Sequence, residues 1–167
     1  NWGASSYGLL LKDIRDSFID ENQFLRNTVG IYMEGSSRCT FSKNVFDKNG
    51  WAVKIQANCD DNMFLRNSFV GNTFDLSTNG SLVLNTVDFN YWDNYHGYDL
   101  NKDGVGDVPY HPVSLYSMVV EKMPSSVMLW RSFLVYLLDR TEKVVPSITP
   151  ESLKDNHPVI RNYDYRF

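Results

Sequence analysis

Four oxygen-bearing side chains crowd one short stretch: Asp99, Asn101, Asp103 and Asp107, with glycines at 104 and 106. An Asp-x-Asn-x-Asp-Gly run can wrap around a hard cation, and calcium takes roughly six to eight oxygen ligands. An EF-hand would place a bidentate Glu at the twelfth position, which here is Tyr110, and no helix pattern precedes the loop. The element is therefore calcium-loop-like, with a structural clamp as the expected role. The competing reading is an Asx-turn loop whose carboxylates bond to its own backbone.

Copper prefers thiolates, thioethers and imidazoles. The soft donors are Cys39, Cys59, Met33, Met63, Met118, Met123, Met128, His96, His111 and His157, and they do not converge in the sequence. His96 and His111 flank the acidic loop and are the copper candidates. A third chemistry, acid–base work on sugars, needs paired carboxylates or a cation beside them. Asp16, Arg38 and Asp60, with Asp61 adjacent, fall 22 residues apart and form one charged column. Alternating charges in such a column also simply stabilise neighbouring strands. No Ser/His/Asp signature occurs, and acids surround the only candidate phosphate glycines.

The elements that hold these residues follow from a repeat. Asn-x-aromatic-x-x-Asn occurs at Asn22-Gln23-Phe24-Leu25-Arg26-Asn27, at Asn44-Val45-Phe46-Asp47-Lys48-Asn49 and at Asn67-Ser68-Phe69-Val70-Gly71-Asn72. A degenerate fourth copy is read at Asn85-Thr86-Val87-Asp88-Phe89-Asn90. The first three copies lie 22 and 23 residues apart, and short alternating segments precede each one. Leu9, Ile31 and Val53 fall in register, as do Leu11, Met33 and Ile55; Ile19, Phe41 and either Met63 or Phe64 form another column. This period, without helical stretches between the strands, predicts an all-β, right-handed parallel β-helix of about 22 residues per coil. Asn columns suit the bends, because Asn tolerates left-handed backbone and its amide can bond to the Asn above and below. The predicted organisation is β-helix over 1–98, acidic glycine loop over 99–113 and a helical C-terminal cap over 114–167.

Composition bounds the rest. In 167 residues, 43% hydrophobic and 22% charged, there is room for one cored domain with an appendage. The formal net charge is −4 with no basic block, which argues against nucleic acid as a partner. No apolar run reaches the ~18 residues that span a bilayer. Two cysteines make neither a disulfide framework nor a four-ligand zinc site. No signal peptide opens the chain, and Asn1-Trp2-Gly3 reads as a cut through a longer protein.

In the tail, Ser114 is expected to cap a helix through Lys122, stopped by Pro124. A second helix is expected from Ser126 to about Val144, with Trp130, Phe133, Leu134, Leu137 and Thr141 on one stripe and Val127, Val135 and Leu138 opposite. Thr149-Pro150-Glu151 would start a third. Trp130, Val135 and Leu138 are the expected partner-docking residues, beside the simpler reading that this hairpin seals the coil.

The stretch Asn90-Tyr91-Trp92-Asp93-Asn94-Tyr95-His96-Gly97-Tyr98-Asp99, continued through Asp103-Gly104-Val105-Gly106-Asp107-Val108-Pro109-Tyr110 to Pro112-Val113-Ser114-Leu115, resembles the end of NosD proteins. The similarity continues through Arg131-Ser132 and Leu137-Leu138-Asp139 to Pro146 and Thr149-Pro150. NosD proteins are periplasmic copper-processing β-helix proteins of nitrous-oxide reductase gene clusters. The resemblance implies an exported, periplasmic, non-enzymatic accessory module. Its partners would be the membrane subunit of an ABC transporter, and a copper chaperone or the reductase itself. Asn/Phe coils also occur in carbohydrate-binding and sugar-hydrolase β-helices, which is the alternative function.

Overall fold

Periodicity of this kind requires each strand to pair with its equivalent one coil away, and it does. The computed structural model describes residues 6–80, 84–113, 117, 119–120, 123–129 and 153–165. Twelve strands run in chain order: β1 Tyr7–Lys12, β2 Phe18–Asp20, β3 Gln23–Leu25, β4 Val29–Glu34, β5 Thr40–Ser42, β6 Val45–Asp47, β7 Trp51–Ile55, β8 Met63–Leu65, β9 Ser68–Val70, β10 Phe74–Thr78, β11 Thr86–Asp88 and β12 Tyr91–Trp92. Every third strand joins one sheet, giving three parallel sheets ordered β1-β4-β7-β10, β2-β5-β8-β11 and β3-β6-β9-β12. The chain is a parallel β-helix of four coils.

Pairing fixes the columns. Leu9 lies beside Ile31, Ile31 beside Val53 and Val53 beside Leu76. Ile19 pairs with Phe41 and Phe41 with Phe64, so Phe64 rather than Met63 continues that column. The extra residue of the third coil falls between Ile55 and Met63, where a turn absorbs it. Phe24, Phe46, Phe69 and Trp92 stack face to face at centroid distances of 5.0, 4.8 and 4.2 Å. Burying each such ring is worth ~1.5–3 kcal/mol, with ~0.5–1.5 kcal/mol more for the stacking.

The bends depart from expectation. The left-handed residues are not the asparagines but those just before them: Glu21, Lys43, Arg66 and Phe89 precede Asn22, Asn44, Asn67 and Asn90, and Arg26 and Lys48 precede Asn27 and Asn49. Each asparagine has a different task, carried by its side chain inside the corner. Asn44 gives its backbone N–H and its Nδ2 to Asn67 Oδ1 at 2.9 and 3.1 Å, and Asn67 gives the same pair to Asn90 Oδ1. Second Nδ2 hydrogens reach carbonyls across the bend, such as Asn67 to Phe41 O at 2.9 Å. A buried amide otherwise costly to desolvate is thereby satisfied and fixes the corner.

Three such ladders exist: Asn22-Asn44-Asn67-Asn90, Asn27-Asn49-Asn72, and Cys39-Asn62-Asn85, where only the backbone N–H of Cys39 takes part. The segment Asn85–Asn90 belongs one face earlier than the repeat it was matched to. Its true counterparts are Cys39-Phe41-Asn44 and Asn62-Phe64-Asn67, and the fourth copy of the Phe24 series is Asn90-Tyr91-Trp92.

Candidate functional site

A solenoid must end without open strand edges. Here the fourth coil is closed by extended chain from two places. Asp155 lies parallel to Val87 and Val159 parallel to Tyr91, so residues 155–160 extend the second and third sheets by one more rung. The segment 105–110 returns antiparallel outside them, Val105 against Val159 and Tyr110 against Asp155. Tyr110 and Asp155 exchange both backbone hydrogen bonds at 2.9 Å. On the first sheet, Leu76 N donates to Pro112 O. Of the helical cap expected over 114–167, residues 130–152 lie outside the described residues, and 153–165 carry the bridging residues Asp155 and Val159 and no helix. Backbone N–H and C=O groups of the last coil need in-plane partners, which a strand supplies and a helix lying across the end does not.

Asp155 is completely buried and sits at the centre of the closure. Its Oδ2 accepts from Asn90 N at 2.9 Å, Asn90 Nδ2 at 3.2 Å and Trp92 Nε1 at 3.0 Å. Its Oδ1 accepts from His157 N at 3.0 Å. Burial pushes its carboxyl above the ordinary range, and the hydrogen bonds from Trp92 and Asn90 oppose this. Tyr110 continues the aromatic column at 5.1 Å from Trp92.

Beyond the rung, the tail turns down the corner. His157 stacks on Phe89 at 4.9 Å and shares a 2.8 Å hydrogen bond with Asp88. Tyr163 and Tyr165 donate their hydroxyls to Phe89 O and Arg66 O, one coil apart. Between this tail and the outer face of the third sheet runs a shallow groove of about 380 Å³, floored by Leu25, Val45 and Val70.

The acidic loop uses its carboxylates internally. Asp99 accepts from the N–H groups of Asp103 and Gly104, Asp103 from Val105, and Asp107 from Leu100 at 2.7 Å, while Asn101 Oδ1 accepts from Asp103 N. That is an Asx-turn network, and calcium gains no support from it. Gly106 lies directly under the Tyr95 ring, where any Cβ would collide with the phenol. The same phenol donates to Val108 O at 2.7 Å and pins the loop to the coil.

His96 is exposed and His111 half-buried on the closing turn. No group of three or more His, Cys, Asp or Glu among the described residues has an arrangement able to hold a metal ion. Cys39 occupies an asparagine-ladder position with its thiol toward Ile14 O and Ser37 O, and burial pushes the Cys59 thiol up, away from the thiolate copper needs. Met33 is core. Cys39, Cys59 and Met33 do not fit a resident copper ion.

Asp16 and Arg38 form a bidentate pair, Nε to Oδ1 at 2.6 Å and Nη2 to Oδ2 at 2.8 Å. Asp61, not Asp60, takes the equivalent bend position one coil on, left-handed like Asp16 and Arg38. Of the docking residues, Trp130, Val135 and Leu138 lie outside the described residues. In the part of the tail that is described, Ser117, Val119 and Val120 are helical, Met123 is not, and a separate 3-10 helix, Pro124–Leu129, begins at the proline. Val120 packs on Trp51 and Phe74, on the outer flank of the coil and not on its end. No helix of the described residues is long and apolar enough to cross a membrane.

A family model described as periplasmic copper-binding protein (NosD) matches residues 1–102, more than half of the chain. The chain belongs to the NosD family. Two curated relatives carry the description "Probable ABC transporter binding protein NosD". One, from Stutzerimonas stutzeri, is 30% identical over 125 residues, covering 73% of this chain and 29% of that protein. The other, from Pseudomonas aeruginosa (strain PAO1), is 27% identical over 141 residues, covering 83% of this chain and 31% of that protein. The chain therefore spans less than a third of the length of these NosD relatives. The NosD family match takes in all twelve strands and stops within the acidic loop, short of the closing segments.

Proposed function

We propose that this chain is part of a non-enzymatic NosD-type accessory protein that works in the periplasm beside an ABC transporter in the maturation of nitrous-oxide reductase, with copper as cargo. The observation that carries the reading is the family match across the whole set of coils, joined to the description of both relatives as probable ABC transporter binding proteins. The rigid column supports it as a scaffold. Its interior is filled by stacked rings and amide ladders, leaving recognition to outer faces and to the tail.

Docking on the transporter's membrane subunit is assigned to Trp130, Val135 and Leu138, whose apolar side chains exceed what one flank of the coil can bury. Val135→Asp with Leu138→Asp should abolish co-purification with the transporter while the β-sheet circular dichroism of the coil stays intact. Undiminished co-purification overturns the docking assignment. Titration of the chain with cuprous ion under reducing conditions should give no saturable heat, since Cys39, Cys59 and Met33 are buried in the core and the described His, Cys, Asp and Glu form no group able to hold a metal ion. Stoichiometric binding would place copper handling in this portion itself.

A further inference from the structure

One position in the first sheet breaks its own column. Register places Gly8 beside Gly30, Gly30 beside Ala52 and Ala52 beside Asp75. The column is small because it points inward: a Cβ on Gly30 would lie 2.5 Å from Ala52 O and 3.2 Å from the Phe46 ring. Only at the last coil, where the closing segment replaces a further strand, does a carboxylate enter this space. Asp75 is 5% exposed there. Four groups face it. Asn72 Nδ2, the end of its ladder, lies 3.4 Å from Oδ1, and the Tyr110 hydroxyl of the closing segment donates to Oδ2 at 3.4 Å. Asn94 adds a side-chain hydrogen bond from the corner after β12, and Asp93 from the same corner adds a second negative charge. One oxygen of Asp93 is itself buried without a hydrogen-bond partner in the structure, while the other accepts from Gly71 N.

We propose that Asp75 is a proton-controlled latch: protonated, it holds the closing segment 108–113 on the fourth coil, and ionised beside Asp93 it releases that segment. A buried carboxyl facing a second, half-buried carboxylate does not ionise cheaply, and opening the segment would let water solvate its charge. Burial, with Asp93 as the second cause, pushes the Asp75 carboxyl up to about 7. Its ordinary value is 3.8, so the closed form binds the proton more tightly than the open one. Closure is therefore strongest below the ordinary value and weakens as pH rises through the folded value. A single linked proton raises the opening constant about tenfold per pH unit between the two values and then levels off.

Amide hydrogen exchange reads this directly through Leu76 N–H, which donates to Pro112 O, and Tyr110 N–H, which donates to Asp155 O. After correction for intrinsic exchange, opening at these two amides should rise about tenfold per unit from pH 5 to 7 and flatten above, while Ile31 and Val53 in the lower coils stay constant. In Asp75→Asn the rise should vanish. Asp93→Asn, which keeps Asp75 but removes its charged neighbour, should shift the rise to lower pH. A pH-independent opening constant in the unmodified chain, or the same rise in Asp75→Asn, overturns the proposal. If Asp75→Asn fails to fold, a carboxyl carbon NMR titration of Asp75 in the unmodified chain decides: a midpoint below pH 5 refutes the latch.

Discussion

Asn90 gives both its backbone N–H and its side-chain amide to one oxygen of Asp155, at 2.9 and 3.2 Å. This is the bond every lower asparagine makes to the asparagine above it, made here to a carboxylate 65 residues further along the chain. An amide ladder has a direction: each member donates upward, so the last one must meet an acceptor or leave two donors buried. Removing that acceptor by Asp155→Ala strands the Asn90 N–H and the Trp92 indole, while Asn90 Nδ2 keeps Phe64 O and Asp88 O, and should cost about 3 kcal/mol. Asp155→Asn keeps the accepting oxygen and sets an amide against His157 N–H, so about 1 kcal/mol is expected. Urea unfolding of both variants checks the order; equal losses would deny Asp155 its role as ladder terminus.

Position along a ladder should grade its importance. Asn67 is fully buried, accepts from Asn44 and donates to Phe41 O and Asn90. Asn67→Ala should cost about 3 kcal/mol, because partners on both sides lose their bonds. Asn22 sits exposed at the first coil, and Asn22→Ala should cost about 1 kcal/mol or less. Chemical denaturation of the pair tests the gradient.

Gly30 predicts a failure of packing. Ala in its place would press on Ala52 O, which is backbone and cannot swing aside, and on Phe46. Gly30→Ala should lose about 1–3 kcal/mol despite the entropy it removes from the unfolded chain. A lower thermal midpoint is the expected reading, and a higher one would show that the column is looser than described.

Stability should depend on pH with an unusual sign. Asp75 and Asp155 are both held above the ordinary carboxylate value by burial. The native state then keeps protons that the unfolded chain has released, and stability falls as pH rises from about 4 toward 7. Asp16 pulls the other way, since its hydrogen bond with Arg38 lowers its carboxyl and is lost in acid; that group is exposed and screened, so the buried pair dominates. Thermal midpoints at fixed ionic strength should decline across this window, and less so in Asp75→Asn.

Much of the coil was legible because its information is local and periodic. Leu9, Ile31 and Val53 sit 22 apart and pair as that spacing requires. Membership of the NosD family was legible too, from the run that begins at Asn90. The misplaced fourth repeat had a signal in plain view: Asn62, Phe64, Asn67, Phe69 and Asn72 repeat every five residues within one coil, so the motif occurs on two faces and its copies can slip. The closing rung was not legible. Asp155 is separated from Asn90 by a long non-repeating stretch, and no pattern in Lys154-Asp155-Asn156-His157 says that it will lie in a sheet. Nor could spacing reveal that the acidic loop satisfies its carboxylates with its own N–H groups, because a cation-binding loop and an Asx-turn loop draw on the same residues.

The amide ladder is tested most directly by NMR of the asparagine side chains. The Nδ2 protons of Asn44, Asn49, Asn62 and Asn67 should exchange with water far more slowly than those of Asn101, with cross-relaxation linking Asn44 to Asn67 and Asn67 to Asn90. Rapid exchange at all of these amides, with no contacts between residues 22 or 23 apart, would contradict the stacked coil and everything built on its closed end.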